Sequence, residues 1–81
     1  MSDIEAPGPD RADLRYVQVA NDIEARIVKG ELRPGARLIS ERDLADYYHC
    51  SYGTIRRAMK ELRARGLIST VHGAGTFIRK P

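Results

Sequence analysis

Ser40 and Ser51 stand 51 − 40 = 11 positions apart, and each opens a segment with the pattern of a helix start. A serine at the N-cap accepts hydrogen bonds from the first backbone amides, and acidic residues behind it are favoured by the positive end of the helix dipole. Ser40 precedes Glu41-Arg42-Asp43, so a helix is expected over residues 41–48, burying Leu44, Ala45 and Tyr48. His49-Cys50 is then all the connector that remains before the second cap. Two short helices joined by a tight turn are the result.

Behind Ser51 the chain places Ile55, Ala58, Met59 and Leu62 on one side of a third helix. Tyr52, Gly53, Arg56, Lys60 and Arg63 fall within about 100° of one another on the opposite side, at about 100° per residue. That helix presents a basic stripe to solvent, and Gly66 closes it. Upstream, Tyr16, Val19, Ala20, Ile23 and Ile27 recur at spacings of three and four, which predicts an amphipathic helix over residues 14–29. Residues 31–35 contain the turn pair Pro34-Gly35, and the short apolar Leu38-Ile39 follows. Residues 1–12, with Pro7, Gly8 and Pro9, read as a disordered lead-in. After the third helix, the β-rich runs 67–71 and 76–79 flank His72-Gly73-Ala74-Gly75, the pattern of a hairpin with a mobile glycine tip. A β-branched residue at Gly73 is expected to leave thermal stability nearly unchanged, because the tip adds little to the core. There are no internal repeats. The fold class is therefore mainly α with a small β-hairpin: a winged helix-turn-helix of three helices and a two-stranded wing over residues 13–81.

With 81 residues the chain is one domain, which excludes a cleft between domains. Its 42% hydrophobic and 31% charged residues are ordinary for a folded protein. No run approaches the length of a membrane span, and the acidic start does not resemble a secretion signal. Cys50 is the only cysteine, so neither an intrachain disulfide nor a cysteine-rich zinc site is available, and a cytoplasmic location is expected. Net charge is +3 and unevenly spread. Residues 1–13 sum to 1 − 4 = −3, residues 14–55 to 6 − 6 = 0, and residues 56–81 to 7 − 1 = +6. Such asymmetry points to a polyanion partner rather than a membrane, since there is no Trp and one Phe to anchor in lipid. Eleven of the fourteen basic residues are Arg, which suits phosphate and guanine, although a GC-rich genome yields the same bias.

Other chemistry is weakly represented. Gly73-Ala74-Gly75-Thr76 looks superficially like a phosphate-binding loop, but such a loop needs a helix behind it and here a strand follows. A wing tip, whose bare backbone approaches a phosphate or the minor groove, fits better, with His72 either a donor there or incidental. His49 and Cys50 lack further ligands, so no metal is expected. No nucleophile-base or paired-carboxylate constellation is present, which argues against an enzyme, and no cofactor is implied. Of Tyr47 and Tyr48, one ring should be core and the other should lie at the surface or touch sugar-phosphate.

From Tyr16 to Ile78, about three quarters of the chain, the sequence resembles the DNA-binding domain of the GntR family of bacterial transcriptional regulators. The matching residues are Tyr16-x-Gln18-Val19-Ala20, Gly30-x-Leu32-x-Pro34-Gly35-x-x-Leu38, Ser40-Glu41-Arg42-x-Leu44-Ala45, Ser51, Thr54-Ile55-Arg56-x-Ala58, Leu62, Gly66-Leu67-Ile68 and Gly73-x-Gly75-Thr76-Phe77. The opening and the Gly-Thr-Phe ending are similar to those of the HutC and YtrA branches. The resemblance implies a repressor that binds a palindromic operator in double-stranded DNA, one domain per half-site. It also implies a homodimer held by a C-terminal effector domain that these residues do not contain. By position it implies DNA contacts from Arg42, from Ser51 and Arg56 on the recognition helix, and from His72 and Gly73 on the wing. Three residues depart from the family pattern: Ile39 replaces the usual Pro, Tyr52 a common Arg, and His49 a frequent Gly, so that the exit from the second helix is expected to differ in shape.

Together these readings make Arg56, Tyr52, Gly53 and Lys60 the residues facing base edges or nearby phosphates. Ser51, Thr54 and Arg42 are expected to position the helix on the backbone. The isolated chain is expected to be monomeric, since its apolar residues are used by the core. The alternative is a winged-helix module that binds another protein; a nucleotide-binding enzyme fragment is a more distant rival.

Overall fold

The apolar residues at spacings of three and four do define one buried stripe: Val19, Ala20 and Ile23 are at most 1% exposed, with Tyr16 and Ile27 partly covered at its ends. The computed structural model describes residues 11–80. In it this stripe lies on α1 (Arg11–Val28), which begins three residues before the expected start at 14. The expected lead-in lies outside the described residues except for positions 11 and 12, which are helical. α2 (Glu41–Tyr48) and α3 (Tyr52–Ala64) follow, then an antiparallel hairpin of β1 (Ile68–Val71) and β2 (Gly75–Ile78).

Each cap performs as its chemistry requires. Ser40 Oγ accepts the Asp43 amide at 3.1 Å, and Ser51 Oγ accepts the Thr54 amide at 3.1 Å. With both helix starts pinned, α2 turns Leu44 and Tyr48 inward and α3 contributes Ile55, Ala58, Met59 and Leu62. α1 packs chiefly on α3, and Leu38, Ile68 and Ile78 complete a single core.

In the hairpin, Ile68 faces Ile78 across the ladder, and both are 2% exposed. Burial of this pair ties the wing's base to the helical core. The wing's other end is a tight turn, in which the Ala74 amide donates to the Val71 carbonyl at 2.9 Å. A third backbone segment joins the sheet. The Gly35 amide donates to the Ile78 carbonyl, Ile78 to Ala36 and Leu38 to Thr76, each at 2.8 Å, so residues 35–38 run along the free edge of β2. The turn expected at 31–35 thus delivers a third, very short strand that shields the hairpin and carries Leu38 into the core.

Candidate nucleic-acid interface

The exposed side of α3 begins at its cap. Ser51, Tyr52, Gly53, Arg56 and Lys60 are all exposed, and their positions follow from Ile55, Ala58, Met59 and Leu62 facing inward. The Arg56 guanidinium carbon lies 6.0 Å from the centre of the Tyr52 ring. A side chain at Gly53 would meet only Ser51 Oγ, at 3.9 Å, so the first turn of α3 is open to close approach. Thr54 departs from its expected role. It is 6% exposed, and its hydroxyl lies 2.8 Å from Ser51 Oγ. It braces the cap from inside rather than offering a surface contact, because it precedes Ala58 by four residues and shares that residue's inward face.

The basic stripe continues to the wing. Arg63 Nη1 donates to Thr70 Oγ1 at 3.0 Å, linking the last turn of α3 to β1. His72 and Gly73 are exposed at the tip. Arg42 is exposed in the first turn of α2, whose start faces the beginning of β2 across a groove lined by Arg37, Ser40, Glu41, Asp43, Met59 and Gly75.

Two arginines escaped the reading of the sequence. Arg37 forms a bridge to Phe77 and lays its guanidinium against Gly75, where a Cβ would stand 2.6 Å from Nε. Arg57 stacks on Tyr16, its guanidinium carbon 4.3 Å from the ring centre. Only the position of Tyr16 relative to α3, a tertiary fact, reveals the second.

The profile of the gntR family of bacterial regulatory proteins matches residues 15–78. The chain belongs to the GntR family. Among its relatives is the HTH-type transcriptional regulator YdeF of Bacillus subtilis, 38% identical over 73 residues, a match covering 89% of this chain and 16% of YdeF. The HTH-type transcriptional repressor YtrA of the same organism is 36% identical over 63 residues, covering 78% of this chain and 48% of YtrA. Among solved structures, the DNA-binding domain of AraR in complex with operator ORX1 superimposes with a TM-score of 0.75 at 31% identity, covering 96% of this chain and 86% of that one. The GntR chain described here thus spans half or less of these two curated relatives.

In this GntR domain a polar network holds the rear of the interface. Tyr48 donates its hydroxyl to Asp22 Oδ2 at 2.7 Å, and Arg26 Nε reaches the same oxygen at 3.0 Å. Arg26 also donates to the Tyr47 hydroxyl at 2.8 Å. The Tyr48 bond, followed by the Arg26 bond, holds the Asp22 carboxyl below its ordinary range, while burial and then the Asp22 bond push the Tyr48 phenol up. Tyr48 is the core ring and Tyr47 the surface one, 54% exposed and set edge-on at 5.0 Å. Arg15 donates to the Tyr48 carbonyl. In the same stretch of α1, Arg65 binds Asn21 and Glu24 at 2.9 and 3.3 Å, and within α3 it binds Glu61 at 2.8 Å. These contacts orient α2 and α3 as one unit on α1.

The exit from α2 corrects an expectation. His49 adopts φ 52° and ψ 50°, the left-handed conformation that glycine takes at helix ends, and its amide caps Ala45 and Asp46. The shape of the turn is kept without glycine. Beside it Cys50 is partly buried, and burial raises its thiol pKa. Among the described residues no three His, Cys, Asp or Glu side chains converge as metal ligands would.

Proposed function

We propose that this chain is the DNA-reading part of a transcriptional repressor that binds a palindromic operator, one domain to each half-site. The observation that carries this reading is the outer face of α3. It is anchored by a cap at one end and by Arg63 at the wing, it is bare at Gly53, and among the described residues neither Arg56 nor Lys60 forms an ion pair. An α-helix about 10–12 Å across fits a major groove about 12 Å wide, so a face of this kind can meet base edges. Arg56, Tyr52 and Gly53 face the bases. Lys60, Ser51 and Arg42 engage phosphates, and His72 and Gly73 approach the backbone or the minor groove from the wing. The buried Thr54 serves through the cap alone.

On this reading two copies pair through a region outside this chain, for which the greater length of the relatives leaves room, and the repressor named among them supports the sign of regulation. The 81-residue chain alone is a monomer on this reading, and its setting is the cytoplasm; among the described residues no helix is long and apolar enough to cross a membrane. Selection of bound sequences from a random duplex pool tests the proposal. One defined motif with inverted symmetry is expected, and a pool that stays random after selection contradicts it.

A further inference from the structure

The Tyr52 ring is the one apolar surface of size on the outer face of α3, 52% exposed in the first turn. Among the described residues its hydroxyl has no hydrogen-bond partner, and its sole aromatic contact is the Arg56 guanidinium at 6.0 Å. Both side chains project from neighbouring positions on one helix face, four residues apart. Gly53 adds no bulk between this turn and an approaching duplex. A base pair rises about 3.4 Å, so groups 6.0 Å apart address base pairs about two steps apart or closer. Guanine offers two acceptors to a guanidinium, and thymine offers a methyl group to an apolar surface.

We propose that Tyr52 is a specificity-determining residue that packs against a thymine 5-methyl group, while its ring holds Arg56 over a guanine within two base-pair steps. The inference rests on the DNA-reading role of α3 proposed above. The cation–π contact with Tyr52 narrows the rotamers of Arg56 before DNA arrives, so less freedom is lost when the guanine is engaged. The pair therefore reads a thymine and a guanine as one unit in each half-site, and a 5-methyl group is the chemical feature that the ring recognises.

The test takes the motif selected from the random pool and replaces each thymine in turn with deoxyuridine, which removes only the methyl. Affinity of the wild-type chain is expected to fall about fourfold at one thymine per half-site, the value of one buried methyl, and to stay unchanged at the others. Tyr52→Phe should show the same sensitivity. Tyr52→Ala should bind the thymine and deoxyuridine duplexes equally, and thermal melting of each variant shows that it is folded. Indifference of the wild type to every deoxyuridine overturns the proposal and leaves the DNA-reading role of α3 standing. So does a loss of affinity in Tyr52→Phe with uracil sensitivity retained in Tyr52→Ala, which assigns Tyr52 to a phosphate through its hydroxyl. A pool from which no motif emerges overturns both.

Discussion

Replacing Gly75 with alanine should destabilise the domain more than the same change at Gly73, although both glycines belong to the wing. Gly73 has φ +81° and a Cβ there meets nothing within 4 Å, so the substitution carries only left-handed strain, about 1–2 kcal/mol. Gly75 has φ +126°, a conformation that side chains rarely adopt, and its Cβ would stand 2.6 Å from Arg37 Nε and 3.3 Å from Cζ. The guanidinium must swing off the sheet, so strain and lost packing together come to about 2–3 kcal/mol. The penalty reaches the whole domain because β2 ends at Ile78, which is 2% exposed beside Ile68 in the core. For a domain of this size, thermal melting should register a fall of roughly 5–10 °C for Gly73→Ala and roughly 10–20 °C for Gly75→Ala. Removing the Arg37 guanidinium with Arg37→Ala in the Gly75→Ala background should recover part of the loss. A Gly75→Ala domain that melts no lower than Gly73→Ala would refute the reasoning.

Three further outcomes are expected. Tyr48→Phe removes the hydroxyl from Asp22 and should cost about 1 kcal/mol at neutral pH by urea unfolding. Because the carboxyl is held below its ordinary 3.8, its contribution is fully present above that value and disappears as pH falls through the lowered one, so the penalty should shrink in strong acid. His49→Gly should raise the urea midpoint, stabilising the fold by about 0.5–1 kcal/mol, since relief of the positive φ exceeds the entropy glycine loses on folding. If roughly four to six phosphates are neutralised per domain, log K should fall against log[salt] with a slope of about −4 to −5 in fluorescence titrations.

Local chemistry made much of this molecule legible. Ser40 and Ser51 placed both short helices, the bounds of α2 agree with the expected 41–48, and the phase of Ile55, Ala58, Met59 and Leu62 put Arg56 and Lys60 outside. Thr54 was misplaced by its residue type: a hydroxyl near a basic stripe suggests DNA, yet its helical phase already put it with Ala58 on the buried side. Residues 35–38 could not be read as a strand because their partner, β2, lies some forty positions later and no alternation marks so short a segment. The role of Gly75 was hidden for the same reason, since only the pairing of Arg37 with Phe77 brings a guanidinium there. Gly73 was expected to be replaceable at little cost to stability, but φ +81° makes its conformation a contribution to the fold. His49 shows the converse: a residue change that suggested another turn geometry leaves the left-handed exit intact, since the bonds from its amide to Ala45 and Asp46 hold it there.

The central claim is that the outer face of α3 reads base sequence while the start of α2 grips the backbone. Comparing Arg56→Ala with Arg42→Ala on the selected motif and on random duplex tests it directly. Arg56→Ala should lose about 1–3 kcal/mol on the selected motif and much less on random duplex, whereas Arg42→Ala should weaken both by similar factors. Equal losses from both substitutions on both duplexes would contradict the division between reading and positioning, and no loss from either would remove α3 from the interface.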